Sequence, residues 1–183
     1  PDSLICGNMG VNLIGVYQCK LDAKSRLMLP KAFKKQLASS LDSPFILKRS
    51  VFHHCLELFP MDEWNKVVLD INRLNRFVKK NNDFIRMFTA GVKLVQLDVT
   101  GRLLLPKDLQ LYAGISKEIV LSSSANMIEV WDKAGYELII NNENIDFAQL
   151  AEDVMGAKTE DNEWISWACT ASKVIRGIKC QSK

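Results

Sequence analysis

The chain repeats itself. Lys20 to Lys31 (KLDAKSRLMLPK) lies over Gln96 to Lys107 (QLDVTGRLLLPK) at an offset of 76 residues, with seven of the twelve positions identical. Further along, Leu56-Glu57-Leu58-Phe59 aligns with Ile128-Glu129-Val130-Trp131 at an offset of 72, and Trp64 falls opposite Tyr136. The match of Ile46-Leu47 with Val120-Leu121 at 74 explains the drift: two loops are each two residues shorter in the second copy. Length changes confined to loops are what a duplicated fold tolerates. Residues 15–64 therefore form a first repeat, 65–90 a connector, 91–136 a second repeat and 137–183 a C-terminal extension.

Local rules give each copy the same order of elements. A short apolar stretch, Gly15 to Leu21 in the first copy, is stopped by Asp-x-x-x-Arg, a turn cluster whose Asp can accept the following backbone amides. A second apolar run then meets a proline. The residue before Pro is pushed toward extended backbone and Pro suits the first turn of a helix, so Leu27 to Leu29 reads as strand and Lys31 to Leu37 as helix. Phe33 and Leu37 lie four apart and share a helical face. Two more strands follow, Phe45 to Lys48 and Cys55 to Phe59. Such a unit of about 50 residues is near the size at which a single core becomes marginal. Each copy is expected to need a partner, which two copies in one chain supply by interleaving their hairpins. The expected fold is α+β, mainly β: two tandem strand-strand-helix-strand-strand repeats forming a pseudo-symmetric small barrel, joined by helices. Between the copies, Met61 to Lys80 carries Trp64, Val67, Val68, Ile71, Leu74 and Val78 at helical spacing, opened by Asp62 and Glu63. Asn81-Asn82 is expected to break it before a shorter helix, Asp83 to Thr89.

Composition narrows the class. With 183 residues, 48% hydrophobic and 25% charged, the chain belongs among soluble globular proteins of one domain or two small ones. No run approaches the roughly 18 apolar residues of a membrane span, and the N-terminus lacks a basic segment leading into an apolar core, so a cytoplasmic protein with no membrane partner is expected. The five cysteines (Cys6, Cys19, Cys55, Cys169, Cys180) are odd in number and form no C-x-x-C pair, so they read as reduced thiols. Charge is unevenly spread: residues 1–88 hold 14 Lys and Arg against 8 Asp and Glu, and residues 89–183 hold 10 against 13. A face for a polyanion therefore belongs in the first half. Residues 137–163 contain eight acids and one lysine, and 164–183 four cations and no acid.

The doubled D-x-x-[GS]-R-[LM]-x-L-P-K turn resembles the MraZ family, whose duplicated halves have the AbrB-like swapped-hairpin fold; the match covers about Gly15 to Tyr136. The resemblance implies a DNA-binding transcriptional regulator of the bacterial division and cell-wall gene cluster, assembled as a ring-like homo-oligomer and associated with the nucleoid. It also implies that the motif positions fall on Asp22 and Arg26, and on Asp98 and Arg102. Ser25 stands where that family usually has glycine, and Val99-Thr100 replaces a basic turn residue in the second copy.

On this basis the first turn is expected to face double-stranded DNA at promoter repeats. Lys20, Lys24, Lys31, Lys34 and Lys35 would position phosphates with release of counterions, and Arg26, the side chain type able to hold guanine O6 and N7 together, would read a base. Asp22, Asp98 and Arg102 are expected to be structural, because Asp favours turns for backbone reasons and the second turn's cations are offset by Asp98 and Asp108. The alternative is an oligomeric scaffold for protein partners without DNA binding. An enzyme is not expected. Ser122-Ser123-Ser124 lacks a G-x-S-x-G context, there is no Gly-rich phosphate loop or H-E-x-x-H, and no cofactor is implied. His53 and His54 are adjacent, so on a strand they point apart; even with Cys55 beside them they read as residues of a hairpin loop and not as a metal site. Trp64, Phe77, Phe84 and Phe88 read as packing residues by their helical spacing.

Overall fold

The computed structural model describes residues 12–142 and 145–156. The expectations for residues 1–8, for Cys6, Cys169 and Cys180, and for most of the C-terminal extension lie outside them. The chain divides into two units, one up to Ile140 and one from Asn141 onward.

In the first unit the elements run β1 (Val16–Lys20), β2 (Arg26–Met28), α1 (Lys31–Gln36), β3 (Phe45–Arg49), β4 (Leu56–Pro60), α2 (Met61–Asn72), α3 (Lys79–Thr89), β5 (Lys93–Val95), β6 (Arg102–Leu104), α4 (Lys107–Tyr112), β7 (Glu118–Ser124), β8 (Met127–Asp132) and α5 (Lys133–Ile140). Each copy thus has the predicted strand-strand-helix-strand-strand order. Pro30, Pro60 and Pro106 directly precede α1, α2 and α4, where the proline ring sets the backbone for helix entry.

The fold is mixed α and β, with antiparallel strands. Six of them form one sheet in the order β1-β7-β8-β4-β3-β5, and β2 pairs with β6 in a separate two-stranded ribbon. Exchanging the repeats (β1 with β5, β2 with β6, β3 with β7, β4 with β8) reverses this order onto itself. Four pairings explain the interlock: β1 with β7, β4 with β8, β3 with β5 and β2 with β6 join different repeats, while only β3-β4 and β7-β8 are hairpins within one. The expected closed barrel is not formed. The sheet ends at β1 and β5, and the ribbon joins these edges through single bridges, Leu21 to Leu27 and Leu97 to Leu103. The turns between them bend the chain out of register after one bonded pair, too soon for a continuous ladder.

Repeat-equivalent residues fill the core: Leu27 with Leu103, Leu29 with Leu105, Phe33 with Leu109, Leu47 with Leu121, and Leu58 with Val130. Full burial of such a side chain contributes about 1.5 to 3 kcal/mol. On the outer face of the sheet, Ile46 and Phe59 lie under Trp64 and Phe88, and Val120 and Trp131 lie with Tyr136. Trp64 and Tyr136, matched in sequence, do matching work. A buried ion pair crosses this face, Lys48 Nζ to Glu57 Oε2 at 2.7 Å, with the ammonium 4.4 Å from the centre of the Phe88 ring.

The connector departs from expectation. The break falls at residues 73–78, and Asn81-Asn82 lie inside α3. Asn75 Oδ1 accepts the Phe77 amide at 2.9 Å, and the Asn81 and Asn82 side chains donate back to the carbonyls of Asn75 and Arg76. The asparagines thus satisfy the broken segment instead of causing the break. Phe77, in that segment, is fully exposed, whereas Phe88 stacks on Trp64.

The second unit holds α6 (Phe147–Ala151), whose first amides are capped by Asp146, and one π-helical turn, Glu152–Gly156. No helix among the described residues is long and apolar enough to cross a membrane.

Candidate nucleic-acid interface

Both Asp-x-x-x-Arg turns are built the same way. Asp22 Oδ1 accepts the amides of Lys24 and Arg26 at 2.8 and 2.9 Å, and Asp98 Oδ1 accepts those of Thr100 and Arg102 at 2.9 Å each. Each loop closes with a main-chain bond from the Asp amide to the Arg carbonyl, at 2.9 and 2.8 Å. Both turns need one residue in left-handed backbone, Ser25 at φ 59° and Gly101 at φ 75°. The repeats lock there: the Leu29 amide donates to the Gly101 carbonyl at 3.2 Å, and the Leu105 amide to the Ser25 carbonyl at 3.0 Å.

The β2-β6 ribbon carries the turns' arginines. Its register sets Arg26 opposite Leu104 and Met28 opposite Arg102. Directly opposed residues share a face and neighbours alternate, so Leu27 and Leu103 point into the core while Arg26, Met28, Arg102 and Leu104 point outward. Met28 is 43% and Leu104 55% exposed.

The two guanidinium groups differ. Arg26 forms a fork on Asp22 Oδ2 through Nε and Nη2, both at 2.8 Å, and its Nη1 lies 3.8 Å from Asp98 Oδ2 of the other repeat. Arg102 forms no ion pair among the described residues; it reaches Asp98 through its amide and the through-space pull of its charge. Thr100 Oγ1 donates to Asp98 Oδ1 at 2.6 Å, and Asp98 Oδ2 is left facing Arg26. The Thr100 hydroxyl, then the Arg102 and Thr100 amides, hold the Asp98 pKa down at about 2. The Arg26 amide, followed by its guanidinium, lowers that of Asp22.

Of the lysines expected near DNA, Lys34 reaches from α1 across the ribbon to the second turn. Its Nζ sits 3.6 Å from Met28 Sδ and over Gly101, whose lack of a side chain leaves it room. In the second repeat this place falls to Gln110, which donates to the Leu105 carbonyl at 2.6 Å. The two flanks of the ribbon therefore differ at this place, a lysine on one and a neutral amide on the other. Lys24 is exposed at the turn tip, and Lys31 and Lys35 are exposed on α1, without ion pairs among the described residues. Lys20 lies apart on β1, 3.0 Å from Glu118 Oε1. Its partner comes from β7 of the other repeat, and the first-half charge count could not show it. Nor did the pattern of the first turn alone reveal Met28, Leu104 or the contact with Asp98; the one signal was the repeat itself.

The remaining candidates separate. His53 packs on Trp131 and His54 on Tyr112, and no group of three potential metal ligands occurs among the described residues. Cys19 and Cys55 are free thiols, and burial pushes that of Cys55 up to about 12.

Comparison with known families now bears on this site. The family model "MraZ protein" matches residues 13–87 and again 87–157, one match per repeat. The chain belongs to the MraZ family. Among MraZ relatives, the "Transcriptional regulator MraZ" of Christiangramia forsetii is 61% identical over 146 residues, covering 80% of this chain and 94% of that one. The protein of the same name from Flavobacterium psychrophilum is 58% identical over 154 residues, covering 84% and 98%. The more distant MraZ of Bacteroides fragilis, 30% identical over 156 residues, still covers 84% and 98%. The likeness therefore includes both turns and the connector.

Proposed function

We propose that this protein is a transcription regulator of the division and cell-wall gene cluster, acting on double-stranded DNA in the cytoplasm at the nucleoid. The carrying observation is the outward face of the β2-β6 ribbon, where two arginines stand diagonally across from each other between two turns and one flank carries Lys34. A two-stranded ribbon fits the major groove, where a guanidinium can read guanine and neighbouring lysines hold phosphates. Arg26 and Lys24, Lys31, Lys34 and Lys35 are the proposed contacts from the first repeat, Lys20 being the weakest member because Glu118 offsets it. Asp22 and Asp98 hold the turns. The strand order, symmetric under exchange of repeats 15–64 and 91–136, favours a swapped-hairpin reading of the fold.

A single ribbon offers few contacts. A ring-like homo-oligomer would present several ribbons at once, and tethering raises the effective concentration of each unbound ribbon, so spaced tandem repeats bind tightly and isolated sites poorly. Gel shifts on single and tandem sites from the upstream region of the protein's own gene test this. Tandem DNA is expected to bind at least tenfold tighter, and Arg26→Ala to lose that binding; equal affinity for both DNAs, or an unaffected variant, would overturn the proposal. A scaffold role is the second reading, favoured by the exposed Met28 and Leu104. It predicts an intact assembly with no salt-dependent DNA affinity.

A further inference from the structure

We infer that Asp98 acts as an electrostatic brake on Arg26: a carboxylate from the second repeat that restrains the first repeat's arginine from anionic DNA. The inference rests on the DNA-binding reading above. Asp98 divides its two oxygens between separate tasks. Oδ1 takes side-chain bonds that shape its own turn, from the Thr100 and Arg102 amides and the Thr100 hydroxyl. Oδ2 faces Arg26 Nη1 at 3.8 Å, close enough for charge attraction but beyond hydrogen-bond length. Aim is supplied from elsewhere, because Asp22 already forks the Arg26 guanidinium at 2.8 Å on two nitrogens. What Asp98 adds is negative charge beside the one arginine that two carboxylates share.

Both acids are 35% exposed and Arg26 30%, so the pair stands at the surface where a phosphate would arrive. An approaching duplex must draw the guanidinium toward itself against that charge. Nothing equivalent acts in the other direction, since Arg102 forms no ion pair with Asp22 or Asp98. The brake is therefore one-sided. Exchange of the repeats maps the turns onto each other but not this contact: the Oδ1 atoms of both aspartates accept equivalent amides, yet among the described residues only Arg26 pairs with the Oδ2 atoms of both.

Full-length protein carrying Asp98→Asn tests this, because the amide keeps an oxygen for the turn and removes the charge. The probes are a duplex of the protein's own upstream region and a random duplex of equal length. Asp98→Asn is expected to tighten upstream-DNA binding roughly two- to fivefold, the range of a partly exposed ion pair. The gain should shrink as salt rises and vanish in the Arg26→Ala background. Asp98→Ser, whose hydroxyl can also accept turn amides, should tighten binding by a similar factor and serves if the Asn variant does not fold. Unchanged or weaker binding by the folded variants, with Arg26→Ala still defective, overturns the brake alone. A gain that persists without Arg26 overturns it too, since removing any nearby acid would then suffice. Wild-type binding by Arg26→Ala would instead overturn the DNA-binding reading itself.

Discussion

Ser25 and Gly101 occupy equivalent points of two turns that otherwise share every main-chain bond, and they show how much a residue pattern states outright. The Asp-x-x-x-Arg spacing is legible because an Asp that accepts the amides two and four residues on depends on nothing beyond five residues. What the pattern could not state is which oxygen faces what. Asp98 differs from Asp22 through Thr100, and its low pKa fixes a prediction with a definite sign. A carboxyl held near 2 when folded, against about 3.9 when unfolded, adds stability at pH values above the unfolded value. That stability is lost as pH falls from about 4 toward 2. Carboxyl NMR should place the Asp98 midpoint near 2, and Thr100→Val, which removes the first of its hydrogen bonds, should move the midpoint upward toward ordinary aspartate. A midpoint unchanged by Thr100→Val would show that the hydroxyl does not hold this carboxylate.

Elements were legible where local chemistry and hydrophobic spacing agreed. The proline-led helix α1 and the strands on either side of it fall within a residue of expectation, because a strand before Pro and a helix after it follow from the ring itself. The connector misled because apolar spacing continues through Leu74 and Val78, although the chain there turns and bonds to Asn75, Asn81 and Asn82. Periodicity records which residues could share a face and not whether a sheet is present beneath them. The ribbon gives the cleanest test of face assignment. Leu103 is fully buried and Leu104, one residue on, is more than half exposed. Leu103→Ala is expected to cost about 2 to 5 kcal/mol in denaturant unfolding. Leu104→Ala should stay within about 0.5 kcal/mol. Similar losses at both positions would refute the outward face on which the proposed DNA contact depends.

At the scale of the whole molecule, the repeats are neighbours in sequence but partners in space, since each contributes an edge strand that pairs with the other's hairpin. Residues 1–90 and 91–183, expressed separately, are therefore expected to stay unfolded as monomers and to give one folded complex when mixed, read from the dispersion of amide NMR signals. Independent folding of either half as a monomer would rule out the interlocked core. The amino-acid sequence by itself determined that there are two modules, where each turns, where the proline-led helices start and which side chains are apolar. These properties rest on capping bonds, proline geometry and alternation over a few residues, and such interactions are complete within the segment that encodes them. Tertiary structure alone decided that the sheet stays open, that Lys20 meets Glu118, and that Arg26 lies between the aspartates of both repeats. Those outcomes join groups separated by some 72 to 98 residues along the chain. Which of them meet is fixed only when six strands choose one order around a shared core.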